Sequence, residues 1–113
     1  MSISHVTTHV LDTGSGKPAA EVPVTLHVLD GERWVRIAEG ATDADGRIKE
    51  LGPERLPSGT YRLAFDTGKY FAASGTETFF PEVTLTFGVV EQEPHYHVPL
   101  LLSPFAYSTY RGS

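Results

Sequence analysis

The stretch His95-Tyr96-His97-Val98-Pro99-Leu100-Leu101-Leu102-Ser103-Pro104-Phe105-Ala106-Tyr107-Ser108-Thr109-Tyr110-Arg111-Gly112-Ser113 reads as two strands around a proline turn, followed by a polar tetrapeptide. Val98, Leu100 and Leu102 alternate with His97, Pro99 and Leu101, the period of a half-buried strand. Ser103-Pro104 makes the turn, and Phe105 to Tyr110 forms the return strand. A terminus is usually the expendable part of a domain. This one carries aromatics, a guanidinium and a hydroxyl, which asks for a role.

Working outward, the same period recurs. In His5 to Asp12, Val6, Thr8 and Val10 share one face, and Thr7, His9 and Leu11 the other. Gly14 to Pro18 is a loop, Val22 to Leu29 a strand, Asp30-Gly31 a hairpin turn, and Trp34 to Ala41 a third strand. Thr42 to Arg47 is a polar turn leading into Ile48, and Leu51 to Ser58 is a loop. Thr60 to Asp66 alternates cleanly. Lys69 to Ser74 is the one helix candidate, capped by Asp66 or Thr67 and stopped by Gly75. Glu82 to Val90 is a further β-branched run. About eight short strands and one short helix predict an all-β, two-sheet antiparallel sandwich, a single domain over residues 1–113. Its edges make strand-edge oligomerisation a fair expectation.

Composition narrows the function. With 113 residues, 40% hydrophobic and 20% charged, the chain fits an ordinary soluble globule. A net charge of −5 with no basic run argues against nucleic acid. There is no cysteine for a disulfide, a thiolate metal site or a nucleophile. The N-terminus lacks a signal peptide's charged and apolar regions, and no membrane role is expected, so a cytoplasmic location is the default.

Chemistry must therefore come from histidines and an arginine. His5 and His9 lie ~13 Å apart if extended at ~3.3 Å per residue, too far to share an ion. His5 reads as a surface residue, and His9 as evenly balanced between structure and function. His95 and His97 lie roughly 7 Å apart on one strand face. They suit a zinc site with a third ligand, an acid/base pair, or a half-buried structural pair. His27, on an outer face, reads as structural. Asp43-x-Asp45-Gly46 lacks the rest of a calcium loop and reads as a turn presenting Arg47, a donor fork suited to anions.

Four motifs in order carry a resemblance. They are Thr8-His9-Val10-Leu11-Asp12-Thr13 with Gly16-Lys17-Pro18-Ala19; Asp45-Gly46-Arg47; Tyr70-Phe71 with Phe79-Phe80-Pro81-Glu82-Val83; and the quoted closing stretch. Nearly the whole chain resembles the transthyretin-related proteins, in particular the 5-hydroxyisourate hydrolases. Ala106 departs from the glycine of many members. The resemblance implies an eight-stranded sandwich with one short helix, assembled as a homotetramer, a dimer of dimers. Active sites would lie at the mouths of a central channel.

The implied reaction opens the cyclic amide of 5-hydroxyisourate, the product of urate oxidation, without a cofactor or metal. It yields 2-oxo-4-hydroxy-4-carboxy-5-ureidoimidazoline. The family's catalytic positions fall on His9, Arg47 and His97, and its substrate-binding positions also on Tyr110, Arg111, Gly112 and Ser113. The resemblance leaves open which histidine is the base. Thyroid-hormone carriers share the fold but lack this set, and Tyr110 would narrow their channel. A zinc site on His9, His95 and His97 is the remaining alternative.

Overall fold

The computed structural model describes residues 3–113. The strands are β1 (Val6–Asp12), β2 (Lys17–Pro18), β3 (Pro23–Asp30), β4 (Arg33–Ala41), β5 (Arg47–Ile48), β6 (Gly59–Phe65), β7 (Val83–Val89), β8 (Tyr96–Ser103) and β9 (Ala106–Thr109). One helix, α1 (Thr67–Ala73), joins β6 to β7. Two sheets result. One runs β2-β1-β8-β9 with β5 also on β1; the other runs β4-β3-β6-β7. The sandwich expected from the alternation is present.

Parity explains the core. Val6, Thr8 and Val10 of β1 and Leu100 and Leu102 of β8 are fully buried, facing Leu26, Leu63 and Phe65 of the other sheet. Thr8 is tolerated there because its hydroxyl donates to the Val98 carbonyl at 2.6 Å. The helix forms where expected: Asp66 caps it, accepting from the Lys69 N–H, and Gly75 follows its end at φ 67°. Tyr70 of α1 donates to Asp12 Oδ2 at 2.8 Å, pinning the helix to the end of β1. No helix among the described residues is long and apolar enough to cross a membrane.

The structure departs from the sequence reading in four places. The β1–β8 pair is parallel, so the first sheet is mixed. Residues read as loop and turn form the two-residue strands β2 and β5, because both lie along the free edge of β1 and pair with it. Tyr110 lies just beyond β9. His5 is not a surface residue but buried. Its Nδ1 accepts from the Leu56 N–H at 2.8 Å, so its Nε2–H donates to the Glu93 carbonyl at 2.6 Å. It stitches two loops to the start of β1.

Candidate active site

The site is built on the outer face of the mixed sheet. β1 is the common neighbour: Thr7 pairs with His97 on its β8 side, and His9 pairs with Arg47 on its β5 side. Residues that sit 38 and 88 positions from His9 thus reach one face through strand register alone.

Arg47 arrives by a specific turn. Asp43 Oδ1 accepts the backbone N–H groups of Asp45 and Arg47, each at 2.9 Å. The Arg47 N–H is the leading cause that lowers the Asp43 carboxyl below its usual value, so the turn favours the ionised acid. Gly46 closes it at φ 76°, and a Cβ there would collide with the Val10 carbonyl. The Gly46 carbonyl in turn accepts from the Val10 N–H at 2.7 Å, docking the turn on β1. Arg47 is exposed and makes no ion pair among the described residues, leaving its fork open to a ligand.

The imidazoles cluster. The rings of His9 and His97 stack with centroids 6.5 Å apart and planes at 27°. His95 stands edge-on to His97 at 6.4 Å. Burial, then the charges of Arg47, His9 and His95, lower the pKa of His97, so its ring is disposed to be neutral and able to accept a proton. Among the described residues no three His, Asp or Glu side chains stand close enough to hold a metal, so the zinc arrangement on His9, His95 and His97 finds no geometric support.

A cavity of about 200 Å³ opens here, lined by Thr7, Arg47, Lys49, His95, His97 and Ser113, with others. His9 borders it through His97 and Arg47 rather than lining it. The final tetrapeptide is split. Gly112 donates its N–H to the His97 carbonyl at 2.8 Å, which brings Ser113 to this cavity. Tyr110 and Arg111 line a separate groove of about 410 Å³ between the β7 and β9 edges. There the Arg111 guanidinium lies 4.5 Å over the Tyr96 ring and 3.4 Å from Glu93.

Sequence reasoning missed Thr7, whose hydroxyl lies 2.8 Å from His95 Nε2 and 2.8 Å from His97 Nδ1. Its shared parity with His9 was the available signal. His27 stands apart on the other sheet, its buried Nδ1 without a hydrogen-bond partner among the described residues.

The arrangement can deliver a neutral imidazole and a guanidinium to one small molecule, the pairing suited to water attack on an anionic carbonyl compound. Several known proteins are similar to this chain. The model of the HIUase/Transthyretin family matches residues 6–112. The 5-hydroxyisourate hydrolase of Caulobacter vibrioides is 49% identical over 115 residues, covering 98% of this chain and 100% of its own. The solved 5-hydroxyisourate hydrolase of Klebsiella pneumoniae superposes with a TM-score of 0.86 at 39% identity, covering 100% of both chains. Transthyretin from Sparus aurata reaches 0.91 at 34% identity, covering 96% of each. With a family match spanning almost its full length, this chain belongs to the HIUase/Transthyretin family.

Proposed function

We propose that the chain is a 5-hydroxyisourate hydrolase acting in urate degradation. The observation that carries this reading is that Arg47 and His97 line one small cavity, with His9 paired to Arg47 and stacked on His97 beside them. Fold likeness alone does not choose between hydrolase and carrier, because the superposition on a transthyretin is as close as that on a hydrolase. The histidine–arginine cluster favours the hydrolase, since a carrier of an apolar hormone has no use for a neutral base beside an open guanidinium.

In the reaction a histidine takes a proton from water as the oxygen attacks the ring carbonyl. General-base assistance of this kind is worth about 10²–10⁴-fold. His97 is the better base, because its lowered pKa keeps the ring neutral and it lines the cavity directly. His9 stands between His97 and Arg47 to steer the water or the substrate. Arg47 holds the anionic ring and the charge that grows on the carbonyl oxygen. Breaking the C–N bond then requires a proton on the departing nitrogen, which the imidazolium supplies. The product is 2-oxo-4-hydroxy-4-carboxy-5-ureidoimidazoline.

Assembly as a homotetramer completes the picture. Arg111 faces its own groove within the chain, so its contribution to substrate binding would come through a second copy.

The test couples the protein to urate oxidase and follows the absorbance of 5-hydroxyisourate. Acceleration by substoichiometric protein, lost by about 10²-fold or more in His97→Ala and His9→Ala, is the expected result. Unchanged decay together with tight binding of iodinated phenols would establish the carrier instead.

A further inference from the structure

The orientation of His97 is not fixed by its strand alone. Thr7 and His97 are directly partnered across the parallel β1–β8 pair, with side chains on the same face. The Thr7 hydroxyl is buried and stands 2.8 Å from His97 Nδ1 and 2.8 Å from His95 Nε2. One hydroxyl has one proton to donate and lone pairs with which to accept. It can donate to at most one of the two imidazoles, and from the other, or from both, it accepts an N–H.

Three arrangements satisfy that rule when both rings are neutral. If Thr7 donates to His97 Nδ1, the His97 proton sits on Nε2 and that atom can only donate. If Thr7 donates to His95 Nε2, or accepts an N–H from it, while accepting from His97, the His97 proton sits on Nδ1 and the Nε2 lone pair is free. Nε2 of His97 has no hydrogen-bond partner among the described residues, and it is not a buried orphan. Only the arrangements in which Thr7 accepts from His97 Nδ1–H offer the cavity a basic nitrogen.

We propose that Thr7 is a positioning residue, its hydroxyl anchored by His95 so as to hold His97 in the Nδ1–H tautomer with Nε2 ready to accept a proton. The choice of tautomer rests on the hydrolase reading, whereas the paired contacts stand independently of it. Packing does not explain the hydroxyl, because valine would fill the same volume. Two imidazoles converging on one buried oxygen do.

The experiment compares wild type, Thr7→Val and Thr7→Ser in the coupled assay, and reads the tautomer of His97 by nitrogen-15 NMR of labelled imidazoles at neutral pH. Thr7→Val should lower kcat by about 10- to 100-fold, the range seen when an outer partner of a functional histidine is removed, with KM within about twofold. Thr7→Ser, which keeps the hydroxyl, should retain most of the rate and show that loss of packing is not the cause. In wild type the His97 proton should be found on Nδ1, and in Thr7→Val it should redistribute toward Nε2. A Thr7→Val enzyme as fast as wild type, a Thr7→Ser enzyme as slow as Thr7→Val, or a wild-type His97 protonated on Nε2 would each overturn the proposal. Should the chain hydrolyse no 5-hydroxyisourate at all, the hydrolase reading falls, and the NMR measurement still decides whether Thr7 sets the tautomer.

Discussion

Gly112 donates its backbone N–H to the His97 carbonyl at 2.8 Å, and a Cβ placed on Gly112 would stand 2.6 Å from Cδ2 of the same imidazole. Real Cβ atoms do not approach so closely, so any side chain at this position must push the His97 ring aside. The glycine is there for proximity, since its φ is not in the left-handed region. Gly112→Ala should therefore lower kcat by about 10²-fold, the order expected when a reacting group is misplaced by about 1 Å. The edge position of Gly112 predicts only a small change in melting temperature. An alanine variant with wild-type kcat would show that the His97 ring is free to shift.

The pH response follows from the direction of the His97 shift. Its folded pKa lies below the ordinary value of about 6.5, through burial first and then Arg47, His9 and His95. A lowered pKa means the ring stays neutral as pH falls through about 6.5, so the acid limb of kcat/KM should lie below that value. Stability has the same sign. Below about 6.5 the unfolded chain binds a proton that the folded ring resists, so this contribution is lost as pH falls toward the folded pKa. Arg47→Met removes the second-largest cause, and NMR titration of His97 in that variant should give a higher pKa than in wild type. An unchanged or lower value would show that Arg47 does not act on the ring.

Much of this is legible in the amino-acid sequence itself. Alternation in β1 and β8 placed Val6, Thr8, Val10, Leu100 and Leu102 inward and His9 and His97 outward, because one face of a half-buried strand has to be apolar. The helix was legible because Asp66 and Gly75 mark its ends. What periodicity could not supply was neighbourhood. Nothing local says that β1 and β8 run parallel, and that pairing is what sets Thr7 opposite His97. Nor does a two-residue strand leave a periodic trace, so the contact of Arg47 with the His9 strand was readable only as a resemblance. The sequence does not reveal that His5 is buried, because its burial depends on two distant loops, at Leu56 and Glu93, closing over it.

The turn that presents Arg47 gives a separable test. Gly46 combines φ 76° with a Cβ direction blocked by the Val10 carbonyl. Gly46→Ala should cost about 1–3 kcal/mol of stability through backbone strain and detach the turn from β1. Both a lower melting temperature and a raised KM should follow, since Arg47 is placed by that turn. A variant that melts lower yet keeps its KM would mean that Arg47 reaches substrate from any nearby position.

Tyr70 and Asp12 address stability without touching the site. The Asp12 carboxylate accepts from the Gly14 and Ser15 N–H groups on one oxygen and from the Tyr70 hydroxyl on the other. Burial, followed by the bond to Asp12 and its charge, pushes the Tyr70 pKa up to about 12, so the phenol remains a donor at any ordinary pH. Tyr70→Phe deletes that one bond and should cost about 1–2 kcal/mol, allowing for partial exposure. The melting temperature should fall by several degrees with kcat unchanged. A loss of kcat at constant stability would instead tie α1 to the reaction.

The final four residues can be judged by removing them. Within the chain they do two different things: Gly112 braces the His97 strand and Ser113 lines the cavity, while Tyr110 and Arg111 cover the groove beside Tyr96. None belongs to the hydrophobic core, so a chain shortened after Thr109 should still fold, with β9 intact on β8. It should nevertheless lose most hydrolysis, because His97 loses its brace and the cavity one wall. Mixing distinguishes the two halves. If Arg111 serves the site of a neighbouring copy, inactive Arg111→Ala and inactive His97→Ala chains, unfolded and refolded together, should recover part of the activity through hybrid assemblies. Recovery absent at every mixing ratio would confine Arg111 to its own chain, where its partners are Glu93 and Tyr96.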